Sequence, residues 1–145
     1  MIEYNCRFGD PETQVVLPLL ETDIMDIIEA VWEEKLDTLD IKWSDKSCAC
    51  VVMASGGYPE KYETGKVISG LDENGQCEGA FVYHAGTKLE DGKFLTAGGR
   101  VLGITAYGDT LKEALDTAYK AVDTISFEKA HYRHDIGKKA LSALK

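Results

Sequence analysis

The chain has 145 residues, enough for one domain, or for one domain and a piece of another. With 44% hydrophobic and 28% charged residues it has the composition of a folded globular protein, which excludes a disordered chain. The net charge of −9 argues against nucleic acid or an anionic membrane surface as a partner, because both attract basic proteins. The sequence shows neither a membrane-spanning apolar run nor a signal-peptide pattern.

The first eight residues alternate between apolar and polar side chains, which is the period of a β-strand with one buried face. Glu3, Asn5 and Arg7 share the polar face of this predicted strand. A carboxylate and an amide oxygen placed two residues apart can share a hard cation such as Mg²⁺. The next side chain, an arginine, can hold a phosphate or a carboxylate. The alternative is a solvated strand face with an Arg–Glu pair.

Two helices are predicted next. Asp10 is a suitable N-cap for the first, with Pro11 at its first helical position, and Pro18 soon interrupts it. The second starts at Thr22 or Asp23 and runs to about Lys35. Its apolar positions recur at helical spacing: Ile24, Ile27, Ile28 and Val31. The polar stretch that follows, 36–47, is predicted to be a linker with a short strand near 41–43.

From Cys48 onward the pattern becomes that of a β-rich domain. A continuous apolar run predicts a strand over 48–55 that is covered on both sides. Two hairpins are predicted around Asn74-Gly75 and Asp91-Gly92, dipeptides that favour tight turns. The strands assigned to these hairpins, and the strand after them, are 66–71 with 80–85, 87–90 with 93–96, and 100–107.

A capping box, Thr110-x-x-Glu113, predicts the start of a long helix with apolar positions up to Ile125. A short helix is predicted over 136–144. These elements indicate an α+β fold: a small, mostly antiparallel, barrel- or sandwich-like β domain with one long and one short helix.

Three glycine-bearing loops could present backbone N–H groups to an anion: 55–59, 85–88 and 97–100. Lys88 or Arg100 would supply positive charge. None of the loops has the spacing of a P-loop or of a dinucleotide fingerprint, so ordinary strand-connecting turns are the favoured interpretation.

The four cysteines indicate reduced thiols in a cytoplasmic protein, because Cys48 and Cys50 are too close for an easy mutual disulfide. A zinc site formed by Cys48, Cys50, Cys77 and His84 is the alternative. Structural zinc sites use C-x₂₋₄-C knuckles rather than a C-x-C pair within an apolar strand, so buried free thiols are predicted.

Five motifs, in this order, resemble the C-terminal part of the phosphoribosylamine–glycine ligase (glycinamide ribonucleotide synthetase) family: IEYNCRFGDPETQ at 2–14, ASGGYP at 54–59, HAGTK at 84–88, GGRVLGITA at 98–106 and YRHDIG at 132–137. The resemblance covers essentially the whole chain. It implies an ATP-grasp ligase that joins glycine to 5-phosphoribosylamine, with ATP as co-substrate, in purine biosynthesis.

The resemblance also implies roles for individual residues. Glu3 and Asn5 match the family's Glu-x-Asn metal ligands, which hold Mg²⁺ or Mn²⁺ against the nucleotide phosphates. Arg7, Gly9 and Asp10 follow in the same loop and would lie near glycine or the acyl phosphate, with Arg7 as the expected catalytic residue.

In family terms, residues 1–35 resemble the end of the ATP-grasp domain, 36–47 a linker and 48–145 the C-terminal domain. The larger N-terminal part that the family's proteins have is missing from this sequence, so we expect that the chain alone does not catalyse the ligase reaction. The alternative is a non-catalytic interaction module that self-associates through its N-terminal strand, because an unpaired strand edge invites pairing.

Overall fold

The computed structural model describes residue 4 and residues 6–143. The helices are α1 (Thr13–Val16), α2 (Ile24–Trp32), α3 (Leu111–Val122) and α4 (Lys138–Ala143), with 3₁₀ turns at Leu17–Leu19 and Leu36–Thr38. The strands are β1 (Ser47–Ala54), β2 (Phe81–His84), β3 (Thr87–Glu90), β4 (Lys93–Thr96) and β5 (Arg100–Gly108). Within this described part of the chain, every helix is too short or too polar to cross a membrane.

The strands form an antiparallel sheet in the order β1-β5-β2 and a separate β3-β4 hairpin. Ile104 in the central strand lies opposite both Val51 and Val82, which fixes the register of the sheet. Strands β3 and β4 have the predicted bounds, and Asp91 and Gly92 between them both have positive φ, as a type I′ turn requires. The predicted α+β class with antiparallel pairing is confirmed.

The core lies between one face of the three-stranded sheet and helix α3. The sheet contributes Val51, Met53, Leu102 and Ile104, all fully buried, and they pack with the apolar side of α3. The predicted capping box is present, since the Thr110 hydroxyl accepts from the Glu113 amide at 3.2 Å and the Glu113 carboxylate accepts from the Thr110 amide. The helix ends at Val122, so Ile125 reaches the core from the following turn.

Helix α2 begins as predicted but ends earlier. Asp23 caps it by accepting a hydrogen bond from the Met25 amide at 2.8 Å. It stops at Trp32 rather than near Lys35, because Glu34 has a φ of 58°, outside the right-handed helical range. Its apolar residues share one side, which is exposed rather than packed: Ile24, Met25, Ile28, Val31 and Trp32.

The hairpin predicted between 66–71 and 80–85 is wrong. Val67 bridges to Leu95 and Ser69 to Ser126, whereas β2 pairs with β5. The Asn74-Gly75 turn exists, but it closes a short loop in which the Asp72 amide donates to the Gln76 carbonyl at 2.8 Å. The dipeptide therefore predicted the chain reversal correctly, but the two segments assigned to either side of it do not pair with each other.

Three helix and strand boundaries also differ from the prediction. Asp10 does not cap α1, whose N-cap is Glu12, because the Asp10 carboxylate bonds to Arg100 and Gln14 instead. The last helix starts at Lys138, because Gly137 has a φ of 74°, and the predicted end at residue 144 lies outside the described residues. The stretch 41–43 forms only an isolated bridge, between Trp43 and Leu20.

Half of the strand predicted over residues 1–8, namely residues 1–3 and 5, lies outside the described part of the chain. Tyr4 and residues 6–8, which are described, are not in a strand.

Candidate functional site

The loop of residues 6–12 and helix α1 lie against the face of the sheet opposite α3. Two hydrogen bonds hold this segment in place: the Thr105 hydroxyl donates to the Gln14 carbonyl at 3.1 Å, and the Tyr107 hydroxyl donates to the Pro18 carbonyl at 3.2 Å. Burial, followed by the nearby Cys48, raises the pKa of Tyr107, which keeps the phenol protonated as a donor. The loop with the predicted substrate residues is thus anchored on the β domain.

Asp10 makes the main link between this loop and the sheet. The Arg100 guanidinium contacts the Asp10 carboxylate at 3.1 Å (Nη2 to Oδ2) and donates from Nη1 to the Asp10 carbonyl at 3.2 Å. Gln14 donates from Nε2 to the other carboxylate oxygen at 2.9 Å. The predicted substrate residue Asp10 therefore fixes the shape of the loop, and Arg100, predicted only as a possible anion-binding side chain, holds it.

The other predicted residues in this loop have different surroundings. Arg7 is exposed, and its guanidinium donates to the adjacent Phe8 carbonyl at 3.2 Å. The Gly9 carbonyl accepts from both the amide and the hydroxyl of Thr13, so it closes the turn before α1. The predicted metal ligands Glu3 and Asn5 lie outside the described residues.

A cleft of about 410 Å³ opens beside Arg100. Its lining brings together residues from four of the five motifs, among them Pro11, Tyr58, Arg100, Tyr132 and Arg133. The segment that carries Tyr132 and Arg133 is fastened to α3, since the Tyr119 hydroxyl donates to the Arg133 carbonyl at 2.7 Å. The fold therefore gathers motifs that are far apart in the sequence around one opening.

A second cleft, of about 540 Å³, is lined by Asp10 and by Phe8, Gly9, Gln14, Tyr83 and His84 among others. Both ring nitrogens of His84 are engaged: Nε2 lies 2.9 Å from the Gly75 carbonyl and Nδ1 lies 2.9 Å from the Thr87 hydroxyl. Because a carbonyl only accepts, Nε2 donates to Gly75, and Nδ1 pairs with the Thr87 hydroxyl. The HAGTK motif at 84–88, which does not line the first cleft, thus contributes His84 to the wall of the second.

The three glycine loops pack against one another. The Ser55 amide donates to the Gly99 carbonyl, the Gly86 amide to the Arg100 carbonyl and the Ala97 amide to the Gly86 carbonyl, at 2.7–2.9 Å. Lys88 pairs with Glu90 on the hairpin. These N–H groups are already used in hydrogen bonds between the loops, which supports the interpretation that the loops are connecting turns.

The cysteines are free thiols in the part of the chain that is described. Cys48 and Cys50 are half-buried on the sheet and Cys77 is half-buried beside Ala80, while Cys6 is exposed. No group of three or more His, Cys, Asp or Glu side chains is placed to hold a metal ion within residues 6–143. Burial, reinforced by the neighbouring Cys50, raises the pKa of Cys48 to about 11, and burial also raises the pKa of Cys50 and of Cys77.

We expect Cys6 to react with iodoacetamide well before Cys48 in the folded protein. A thiol whose pKa is about 11 is ionised in about one molecule in a thousand at pH 8, and the thiolate is the reactive form. Peptide mass spectrometry after timed alkylation measures both rates, and the same reaction in concentrated urea is the control, since unfolding should equalise them. Equal rates in the folded protein would contradict this prediction.

The family model described as "Phosphoribosylglycinamide synthetase, C domain" matches residues 48–139. The chain belongs to this family. The match begins at the second residue of β1 and ends within α4, so it includes all of the sheet except Ser47, together with the hairpin and α3. The first cleft lies largely between parts of this phosphoribosylglycinamide synthetase C domain, with Pro11 contributed from outside the match.

The similarity to known proteins extends beyond the matched C domain to nearly the whole chain. The chain is 54% identical over 136 residues to a phosphoribosylamine–glycine ligase of Caldanaerobacter subterraneus, covering 94% of this chain and 32% of that protein. It is 51% identical to a Synechocystis ligase of the same name, covering 97% and 34%. The crystal structure of phosphoribosylamine–glycine ligase from Thermotoga maritima matches with a TM-score of 0.73 and 34% identity, covering 93% of this chain and 32% of that one. The chain spans about a third of the length of these ligases.

Proposed function

We propose that this chain acts as the C-terminal part of a phosphoribosylamine–glycine ligase. The observation that carries the proposal is its 54% identity, over nearly its whole length, to a ligase of that name. In the proposed reaction the glycine carboxylate attacks the γ-phosphorus of ATP, ADP leaves, and glycyl phosphate forms. The amine of 5-phosphoribosylamine then attacks the acyl carbon, loses a proton and expels phosphate, which gives glycinamide ribonucleotide.

The proposed metal ligands are Glu3 and Asn5, with Mg²⁺ or Mn²⁺ as the ion. A carboxylate and an amide oxygen fit such an ion, because hard cations prefer oxygen donors. When bound, the ion would offset negative charge on the nucleotide phosphates. Arg7, whose guanidinium is exposed, would hold the carboxylate or the acyl phosphate of glycine. Gly9 and Asp10 would keep Arg7 at the correct distance, because their contacts with Thr13 and Arg100 fix the loop.

The division into domains is part of the proposal: 1–35 as the end of an ATP-grasp domain, 36–47 as a linker and 48–145 as the C-terminal domain. The support is the contrast in packing. The β-rich part has its own core, whereas α2 has an apolar side with Met25, Ile28 and Val31 each more than half exposed and Trp32 at 89% exposure. A helix of this kind is normally covered by another element. We propose that the rest of the ligase covers it, in the reducing cytoplasm that four free thiols suit.

A second candidate function uses the same exposed helix differently. A module without chemistry could self-associate by burying the apolar side of α2, in addition to or in place of the N-terminal strand. The exposure of Trp32 favours association through α2, but a pure interaction module has no need of Glu3, Asn5 and Arg7 so close together in the sequence.

The chain alone is expected to give no detectable glycinamide ribonucleotide from ATP, glycine and phosphoribosylamine. We expect activity when the first two thirds of the Caldanaerobacter ligase is added as a separate polypeptide, because the ATP site would then be complete. Ile28→Asp should abolish this rescue by placing a charge in the proposed contact. The matched control is Leu89→Asp, since Leu89 is 63% exposed on the distant hairpin.

The readouts are product formation and sedimentation velocity, with circular dichroism to show that both variants fold. Activity of the 145-residue chain by itself would contradict the requirement for the missing part. Self-association that Ile28→Asp removes, with no rescue by the added polypeptide, would favour the interaction module over the ligase.

A further inference from the structure

We propose that Cys48 and Cys50 form a two-coordinate site for a soft divalent cation such as Hg(II), on the face of β1 that is turned away from α3. The proposal goes beyond the ligase reaction and does not depend on it. It concerns a pair of thiols that the proposed reaction leaves unused, next to the loop of residues 6–12.

The two thiols lie on the same face of β1. Ala49, Val51 and Met53 are buried in the core that α3 covers. The alternating positions, Cys48 and Cys50, therefore belong to the opposite face. Residues two apart in a strand are separated by about 6.7 Å, and their side chains lean along the strand. Rotation about χ1 can bring the sulfurs to about 4.6 Å, as two metal–sulfur bonds of about 2.3 Å to one ion require.

The neighbouring strand gives the sulfur of Cys50 its place. A Cβ added to Gly103 on β5 would lie 3.3 Å from the Cys50 Sγ, so the sulfur occupies the space that a side chain at position 103 would fill. Cys48 lies opposite Tyr107 in the same sheet. Burial and the nearby Cys50 raise the pKa of Cys48 to about 11, and burial raises the pKa of Cys50 as well. Both thiols therefore carry their protons at neutral pH, and a metal ion must displace them.

Both cysteines line a third cleft, of about 310 Å³, which gives an ion access to them. Apart from Glu12 and the thiols, the lining is largely apolar, with Pro11, Val15, Leu111, Leu115 and Ile136 among its residues. Placing a net charge in apolar surroundings is costly. Hg(II) would replace two thiol protons without changing the charge of the site, whereas Cu(I) would leave one negative charge behind. The surroundings therefore favour a divalent ion.

The number of donors favours a soft ion that is satisfied by two ligands. Over the described residues, no three His, Cys, Asp or Glu side chains are grouped closely enough to share an ion. Structural zinc sites use four ligands, and hard cations prefer oxygen, whereas thiolates suit soft ions. Hg(II) takes two thiolates in a linear arrangement. When mercuric chloride reacts, two Hg–S bonds form, both chlorides leave and each thiol gives its proton to the solvent, with no change of oxidation state.

An ion at this site would also act on the loop of residues 6–12. Pro11 lines the third cleft together with the two thiols, and it follows Asp10 directly in the sequence. The Thr13 amide donates to the Gly9 carbonyl at 3.0 Å across the same turn. A shift of Pro11 to accommodate the ion should therefore change the environment of the Thr13 amide.

The test titrates the 145-residue protein with mercuric chloride in excess mercaptoethanol and measures the mercury retained after ultrafiltration. A Cys6→Ser background removes the exposed thiol. We expect each chain to retain a single ion. Cys48→Ser and Cys50→Ser should each weaken binding at least tenfold, because the second thiolate must then come from solution. Cys77→Ser, which removes another half-buried thiol with a raised pKa, is the matched control and should change nothing.

Retention that Cys48→Ser leaves unchanged, or that Cys77→Ser lowers equally, would overturn the proposal. Zn(II) bound as tightly as Hg(II) would overturn the two-coordinate site, and sedimentation velocity showing two chains bridged by one ion would overturn a site within one chain. In ¹⁵N–¹H NMR of the Cys6→Ser protein, which does not rely on the folding of the other serine variants, Hg(II) should shift the amides of Cys48, Cys50 and Thr13. An unmoved Thr13 amide would overturn the effect on the loop.

Discussion

Replacing Gly86 by Ala is expected to lower the free energy of unfolding by about 3 kcal/mol, the upper part of the usual cost of overpacking. A Cβ at this position would lie 2.6 Å from the Gly98 Cα, 2.7 Å from the Gly98 nitrogen and 2.6 Å from the Arg100 carbonyl oxygen. These are backbone atoms at the start of the central strand, and they cannot rotate away as the end of a side chain can. The chain must separate two loops to make room.

Urea denaturation of wild-type protein and Gly86→Ala measures this loss. The matched control is Gly79→Ala: Gly79 has a φ of 79° and no atom within 4 Å of its added Cβ. It should lose only about 1 kcal/mol, because the left-handed conformation alone is unfavourable for alanine. If Gly79→Ala lowered the free energy of unfolding more than Gly86→Ala, backbone conformation, rather than the close approach of the loops, would explain why alanine is unfavourable at these positions.

The glycine loops illustrate what a sequence can and cannot reveal. Each was identified as a turn from its own residues, which local conformational preference is enough to predict. That Gly86 and Gly98 meet backbone to backbone depends on how the β3-β4 hairpin returns to the sheet, and no local pattern encodes it. For the same reason the β3-β4 hairpin and the Thr110 capping box were predicted to the residue, since their partners are three to nine positions apart.

The neighbours of β2 were harder to predict, because the side chain of Gln76 takes the place of a neighbouring strand. The Gln76 amide donates to the Val82 carbonyl at 3.0 Å and accepts from the Val82 N–H at 2.9 Å, so it occupies the edge of β2 where residues 66–71 were expected. Alternation and turn dipeptides carry no signal for such a substitution. The candidate site shows the same limit. Gly9 and Asp10 were assigned to the substrate through family resemblance, but no local pattern could predict the bond between Asp10 and Arg100, which spans 90 positions.

Ile104→Ala is expected to cost about 3–4 kcal/mol, within the range measured for large-to-small changes in protein cores. Ile104 is fully buried in the central strand, opposite Val51 on one side and Val82 on the other, with α3 covering them. Removing three methyl or methylene groups there leaves a cavity that neither neighbouring strand can fill without shifting its register. Ile104→Val should cost only about 1 kcal/mol.

Thermal and urea unfolding give the two values, and Leu89→Ala is the control, because Leu89 is 63% exposed on the hairpin and its loss should stay within about 0.5 kcal/mol. The same strand carries Arg100 at its start and Thr105 under α1, so its position sets that of the Asp10 loop. We therefore expect Ile104→Ala, unlike Leu89→Ala, also to speed hydrogen exchange at the Thr13 amide, which bonds to Gly9. An unchanged exchange rate there, despite the loss of stability, would mean that the loop is held by its own contacts and not by the sheet beneath it.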